Sequence, residues 1–371
     1  MTFRILYAPP SQFDEESGPP LGLQPLVFRR SRAFAEHELR RLSPAAPFFR
    51  TYVGVFVFQD ELRIWGLIEG GARWVDQPEL GRENGLPDSL LLHVRGPGRL
   101  AAFRGRMRLA TLIGGQLEGY AFDVFASKWL PATFANVREG LFAELIATKR
   151  APAERLARIE PGFAKYLAQS VLRRTISLVR NEGHGGTMLF VPPDDETFLY
   201  GDEGPFSYKY SFIEGPPRAR FRGVLLKILA RFATMNLLAK RKKLSVKDYQ
   251  AVTDDELVEL DEALAEVAHS FADFMMVDGA LVLNHRFEIL GFGAEITAGY
   301  ADLLSVGRAL DLEGTVTRDE ATDKVGTRHR SVYRLVNRFP ACLGVVVSQD
   351  GSVRFVASHQ GKVTYWDQLA I

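Results

Sequence analysis

Cysteine is almost missing from this chain. Of 371 residues only Cys342 is one, so no disulfide forms within the chain, and a reducing cytoplasm is the expected compartment. Net charge is almost missing too. Lys and Arg number 46 against 45 Asp and Glu, giving +1 and no global field to draw nucleic acid. No run approaches the ~20 uninterrupted apolar residues of a membrane-crossing helix. The opening MTFRILYAPPSQFDEESGPP has no apolar core followed by a cleavage site, so no leader is expected. Neither G-x-x-x-x-G-K-[ST] nor H-E-x-x-H occurs, and one cysteine excludes a Cys-based zinc site. His37, His93, His184, His269, His285 and His359 show no ligand spacing and read as surface or satisfied core.

What is present suits a globular protein with room for two cores: 46% hydrophobic and 25% charged residues. Residues 1–150 read as mostly strand. TYVGVFVFQDELRIWGLIEGGARWV (Thr51 to Val75) places β-branched and aromatic runs between breaks at Gln59-Asp60 and Gly70-Gly71, and SLLLHVRGPGRLAAFRGRMRLATLIGGQLEG repeats the pattern. Phe48, Phe49, Tyr52, Phe56, Phe58 and Trp65 are expected in its core. Pro152 and Pro161 interrupt a helical stretch and place a domain boundary near 150–160.

From about 155 to 371, helix and strand alternate, which predicts a central sheet covered by helices. Phe163, Leu167, Val171 and Leu172 give an amphipathic helix ending near Gly183. GGTMLFVPPDD is a short buried strand, and Arg220 to Lys243 is a second helix ending in four cations. Thr253-Asp254-Asp255-Glu256 has capping-box spacing before a stripe of Leu257, Leu260, Leu264, Val267, Phe271 and Phe274. MMVDGALVLNHRFEILGFGAEI gives two strands, a looser segment covers 298–322, and ACLGVVVSQDGSVRFVAS is a hairpin turned at Asp350-Gly351. The fold class is α/β: a C-terminal domain (155–371) with a mixed central sheet flanked by helices, after a smaller β-rich α+β domain (1–150).

Two stretches carry candidate chemistry. In DKVGTRHRSVYR, the helical spacing of Val332, Leu335 and Val336 puts Arg328, His329 and Arg330 in a first helical turn. Cations there oppose the helix dipole, a placement that asks for an anion. Helix N-terminal amides, the Thr327 hydroxyl and two guanidinium forks all donate to phosphate; a solvated surface is the alternative. In DGA, Asp278 stands between the apolar stretches FADFMMV and ALVL, either hydrogen-bonded in a structural turn or aimed into a cleft at a strand start. Gly279 and Ala280 would let a flat ring approach the backbone, and a cleft carboxylate beside phosphate is the usual arrangement for Mg²⁺ or Mn²⁺. Gly291-Phe292-Gly293 is only a fragment of a phosphate loop and reads as a tight turn. The Lys240 to Lys243 run reads as a solvated helix end.

Together, Asp278-Gly279-Ala280 and Gly326-Thr327-Arg328-His329-Arg330, with GGTMLFV and LGVVVSQDG in order around them, resemble the diadenylate cyclase (DAC) domain over about residues 160–371. Residues 1 to about 150 look like the sensor-type (DACNV-like) domains that precede some DAC domains. The resemblance implies a metal-dependent nucleotidyltransferase that condenses two ATP into cyclic di-AMP, a second messenger, and two pyrophosphates. Two domains face each other in a homodimer or higher homo-oligomer, regulated through the N-terminal domain by a ligand or protein the sequence does not name. It implies that Asp278 binds Mg²⁺ or Mn²⁺ and helps activate the 3′-hydroxyl. Gly279 and Ala280 would line the nucleoside pocket, and Gly326, Thr327, Arg328, His329, Arg330 and Ser348 would hold phosphates. The family pattern departs at Ser331-Val332 and at Gln349, which replaces a glutamate and leaves Asp350 as the alternative acid. The long TAGYADLLSVGRALDLEGTVTRDEATD between the motifs is expected as a loop near the site, a lid or an obstruction to the facing protomer. The alternative is an inactive sensor that binds ATP or a cyclic dinucleotide.

Overall fold

A computed structural model describes residues 2–13, 23–48, 50–70, 89–104, 107–113, 116–118, 123–148, 151–193, 195–198, 204–235, 243–252, 254–297, 303–323 and 325–368. The chain divides into two compact units, Met1–Ala121 with Lys247–Thr253, and Phe122–Val246 with Asp254–Ile371. Each contains a mixed sheet.

In the first unit, β1 (Phe3–Tyr7), β2 (Gln24–Ala33), β3 (Thr51–Phe58), β4 (Glu61–Glu69), β5 (Leu90–Gly96), β6 (Arg99–Arg104), β7 (Met107–Ile113) and β8 (Gln116–Glu118) form one sheet in the order β2-β4-β3-β1-β5-β6-β7-β8. Helix α1 (Glu36–Leu42) follows β2. Only β1 and β3 run parallel. The β3–β4 turn falls on Gln59-Asp60, both at positive φ, the twist a two-residue hairpin needs. Phe48, Tyr52 and Trp65 are buried, with the Trp65 indole donating to the Ala8 carbonyl at 2.7 Å. Phe58, expected inside, is 52% exposed at the end of β3, where the burial pattern gives out; Phe49 lies outside the described residues.

The second unit begins earlier than the prolines suggest. A 3₁₀ turn at Val124–Ala126, then α2 (Trp129–Thr133) and α3 (Ala135–Ala147), belong to it. Val124 N donates to Gln368 Oε1 at 2.6 Å, Gln368 Nε2 donates to Asp123 at 2.9 Å, and Arg173 donates to Asp123 at 2.5 Å. These bonds tie residues 123–126 to the last strand and to a core helix, so the polypeptide crosses from one unit to the other near 121, about thirty residues ahead of Pro152.

The remaining helices are α4 (Ala153–Leu156), α5 (Gly162–Glu182), α6 (Arg220–Thr234), α7 (Val246–Ala251), α8 (Asp255–Met276) and α9 (Thr327–Arg338). The strands are β9 (Gly186–Val191), β10 (Phe206–Ser211), β11 (Ala280–Asn284), β12 (Ile289–Ile296), β13 (Ser305–Ala309), β14 (Thr317–Ala321), β15 (Leu343–Val347), β16 (Val353–His359) and β17 (Lys362–Asp367). Their order is β10-β12-β11-β9-β15-β16-β17-β13-β14, with β9/β11 and β13/β17 parallel. Alternation along the strands sorts the two faces. Leu189, Val346, Val356 and Tyr365 pack with Val332, Leu335 and Val336 of α9. On the other face Phe355 meets Phe125 edge-on at 5.3 Å and Trp366 stacks on Trp129 at 4.2 Å.

Helix α5 buries Phe163, Leu167, Val171 and Leu172 and stops at Gly183, whose φ of +68° is the left-handed C-cap. Helix α8 is capped by Asp254, whose Oδ1 accepts from Leu257 N at 3.0 Å while the carboxylate also pairs with Arg231. The cap thus sits on the first acid of the expected capping box; Thr253 lies outside the described residues, as do Lys240, Arg241 and Lys242. The segment read as loose, 298–322, holds a hairpin. Strands β13 and β14 pair with each other and extend the sheet beyond β17. Asp311 closes the turn by accepting from Glu313 N at 2.9 Å and from Thr315 N at 3.0 Å, a local device that a search for apolar alternation passes over.

Candidate functional site

Register brings the two motifs to one end of the larger sheet. Ala280 pairs with Thr187, and Thr187 with Val346. Asp278, Gly185 and Ser348 each lie two positions beyond those residues, just outside the adjacent strands β11, β9 and β15. At a strand spacing of ~4.8 Å, the backbones of Ala280 and Val346, two strands apart, are roughly 10 Å apart.

Arg328 joins this end. Thr327 opens α9 after the N-cap Gly326, so the trio occupies the first helical turn, as the spacing predicts. The Arg328 guanidinium lies across Gly185, with Nη1 3.4 Å from the His184 carbonyl. A Cβ on Gly185 would stand 2.8 Å from Nη1, 2.7 Å from the Val347 carbonyl and 3.1 Å from Gln349 N, and φ is +71°. Gly185 therefore makes the seat for Arg328, a role no single motif announces. Thr327 and Gly326 are exposed at the helix mouth, and Arg330 is half-buried with its Nε enclosed.

His329 differs from its two neighbours. It is buried, and Nε2 has no hydrogen-bond partner in the protein. Burial, with the Arg354 cation next in weight, pushes its pKa down to about 4, so at neutral pH the imidazole is uncharged. The row of cation, imidazole and cation in the sequence becomes two arginines over a neutral ring that packs inward.

Asp278 sits between α8 and β11, and its side chain is 91% exposed. Its Oδ2 lies 3.7 Å from Lys209 Nζ, and the same ammonium is 3.3 Å from Glu295 Oε1. Lys209 on β10 and Glu295 on β12 join the site only through the antiparallel pairing of those strands, so neither was visible as a motif. Gly279 has φ +114°, and a Cβ there would stand 2.5 Å from the Gly293 carbonyl carbon. Backbone packing against Gly293 thus requires glycine by itself. Ala280 is buried in the core. Gly291-Phe292-Gly293, read as a tight turn, lies inside β12, with Gly293 at φ +60° opposite the irregular pairing of β11.

The turn after β15 completes this end. Ser348 is half-buried, its carbonyl accepting from Gly351 N at 2.8 Å. Asp350 Oδ1 accepts from Ser352 N at 2.9 Å and from Ser352 Oγ at 2.8 Å, so the alternative acid braces its own turn. Among the described residues no group of three or more His, Cys, Asp or Glu is placed to hold a metal ion, and no helix is long and apolar enough to cross a membrane. The donor set at Asp278 still fits a hard divalent cation that takes its other ligands from phosphate and water, because Mg²⁺ commonly uses one or two carboxylates. The expected lid is displaced: β13 and β14 lie on the far side of β17 from β11.

Residues 1–69 match the family model described as "Probable sensor domain DACNV". The first unit is therefore similar to a sensor domain over β1 to β4. No curated protein and no solved structure matches the chain.

Proposed function

We propose that this protein is a diadenylate cyclase governed by its N-terminal sensor unit. The observation that carries the reading is the register that brings Asp278, Gly185 with Arg328, and Ser348 to one sheet end. Arg328, Arg330, Thr327 and the first amides of α9 take the triphosphate; His329, neutral and enclosed, supports the helix mouth from behind. Asp278, with Glu295 alongside, would hold Mg²⁺ or Mn²⁺, which would neutralise phosphate charge. The 3′-oxygen of one ATP attacks the α-phosphorus of the other, its proton leaving toward Asp278, and the bond to pyrophosphate breaks. Two such transfers close cyclic di-AMP and need two facing protomers. Positioning and charge neutralisation are what such phosphoryl chemistry requires of a protein.

A second reading, a nucleotide-binding sensor without turnover, is favoured by two observations: Lys209 sits against Asp278, and Gln349 replaces an acid. The deciding experiment incubates the full chain with ATP and Mg²⁺ or Mn²⁺ and follows cyclic di-AMP by chromatography over a range of protein concentrations. Product whose rate per protomer rises with concentration, and which Asp278→Asn abolishes, supports the cyclase. ATP binding by calorimetry with no product under either metal leaves the sensor.

A further inference from the structure

Helix α9 has no side-chain N-cap, and its first turn carries two cations against the helix dipole. What holds that turn in place is therefore what the helix buries: His329, Val332, Tyr333, Leu335 and Val336. Apolar contact from Val332, Leu335 and Val336 is strong but without direction, and leaves the roll of the helix loosely set. Tyr333, one turn beyond His329, is different. It is 1% exposed and ends in a hydroxyl.

Beneath Tyr333 the sheet is charged. Arg354 on β16 pairs in register with Asp367 on β17, Tyr365 on β17 with Arg308 on β13, and Arg308 with Arg318 on β14. Alternation puts them on the face that carries Val356 and Tyr365, under α9. Arg354 Nε donates to Asp367 Oδ1 at 3.1 Å, and Arg308 Nη2 lies 2.9 Å from Asp367 Oδ2. Glu320 accepts from the Tyr365 hydroxyl at 2.5 Å and from Arg318 at 2.7 Å, with Arg308 at 3.5 Å. Each acid sits between two guanidiniums, so charge alternates from β16 out to the hairpin β13–β14.

This row reaches the helix through Arg354. Its Nη1 lies 3.5 Å from the Tyr333 hydroxyl, and its guanidinium stands 4.4 Å from the centre of the Tyr365 ring. The Tyr333 and Tyr365 rings lie 6.2 Å apart with planes at 20°. Arg354 is also the charge with most weight on the His329 imidazole. With a side chain only 22% exposed, the cation acts where water screens it little.

We propose, resting on the reading that α9 binds phosphate, that Arg354 is a positioning residue which sets the roll of α9 through Tyr333. The β13–β14 hairpin braces Arg354 through Asp367, Arg308 and Glu320. The long segment between the two motifs then works from beneath the helix and does not cover its mouth. Its value to the site is geometric, since a misplacement of ~1 Å can cost ~10²-fold in such chemistry.

Three variants of the full chain test this. Arg354→Met removes the guanidinium, Arg354→Lys restores the charge alone, and Tyr333→Phe removes only the hydroxyl. Hydrogen exchange by mass spectrometry, without nucleotide, should show α9 exchanging ~5–10-fold faster in Arg354→Met and a few-fold faster in Tyr333→Phe, with α5 unchanged. Calorimetry with ATP and Mg²⁺ should show Kd raised ~5–10-fold by Arg354→Met and part of that loss recovered by Arg354→Lys. Lys362→Ala, which breaks only the pair with Asp319 at the outer edge, should leave both readings as in wild type. Where Arg354→Met does not fold, Tyr333→Phe carries the same test. Exchange of α9 equal to wild type would overturn the brace. Faster exchange with unchanged ATP affinity would overturn the positioning role and leave Arg354 a structural residue. Wild-type protein that binds no ATP would sink the phosphate reading, and this role with it, before any variant is compared.

Discussion

Where β9 and β11 begin, the side chains are charged and face water: Asp278 is 91% exposed beside Lys209, and Arg328 lies over a glycine. Where β11 finishes, about fifteen ångströms away at ~3.3 Å per residue, the charges are largely buried and paired: Glu288 lies 3.8 Å from Arg218 and accepts from Asn284 Nδ2 at 2.7 Å. The contrast follows from what each end must do. A site for hydrated phosphate and metal, as proposed for the first end, is open and loses hydration only on binding.

The sharpest way to break this contrast is to exchange variants between the ends. Arg328→Ala should cut nucleotide turnover ~10²–10³-fold, the usual cost of losing one preorganised phosphate donor, and leave melting nearly unchanged. Glu288→Gln should leave cyclic di-AMP formation within a small factor. Equal losses from both, measured by product formation at saturating ATP, would mean that the two ends form one functional element.

Next in size is the backbone beneath Asp278. Gly279→Ala meets both a φ of +114° and the Gly293 carbonyl carbon at 2.5 Å. Strain and overpacking together should cost about 3 kcal/mol, read as a fall in the urea midpoint. A neutral result would show that the α8–β11 turn adapts, and that the glycine belongs to the ligand and not to the fold.

Acid sharpens the comparison, since a neutral imidazole stands behind each end. Burial lowers both His329 and His285 to about pKa 4. Around His329 the Arg354 and Arg328 cations add to the lowering while Asp350 and Asp367 oppose it. Between pH 6.5 and 4 the unfolded chain holds protons that the folded chain refuses, so stability falls as pH falls through this window and is fully present above 6.5. The slope should approach about two protons, and His329→Phe or His285→Phe should each remove about one. A flat stability curve over that window would place both rings in water.

Periodicity carried the second unit well. Helices α5, α8 and α9, the buried strand β9, and the hairpins β11–β12 and β15–β16 were all legible because each has one apolar stripe or a clear turn pair. Helix α9 even declared its charged first turn. What stayed hidden was non-local. Lys209, Glu295 and Gly185 reach the site through strand pairing, and their neighbours in sequence say nothing of it. Hairpin β13–β14 escaped because β14 reads TRDEA, a polar edge strand without the alternation that marks a half-buried one. His285 and His359 escaped for a different reason: a lone histidine is ordinarily satisfied core, whereas Nε2 of each is buried here without a partner in the protein. The inward turn of His329 follows from helix geometry, because 329, 332, 333 and 336 lie on the one face that α9 buries.

The smallest effect concerns the role of Lys209 at the charged end. Lys209 Nζ lies within 4 Å of both Asp278 and Glu295, yet all three side chains are substantially exposed. Exposed pairs of this kind stabilise folds by less than ~1 kcal/mol, so Lys209→Ala should move the melting temperature very little. Its effect on the site should be larger than its effect on the fold. If the ammonium only occupies the place of the divalent cation, removing it frees two carboxylates, and Mn²⁺ dependence of turnover should shift to lower metal concentration by a few-fold. If Lys209 is what holds the triphosphate against Asp278, the same variant should raise the ATP requirement instead. Titrating metal and ATP separately on one purified variant distinguishes the two, and a change in neither would remove Lys209 from the charged end altogether.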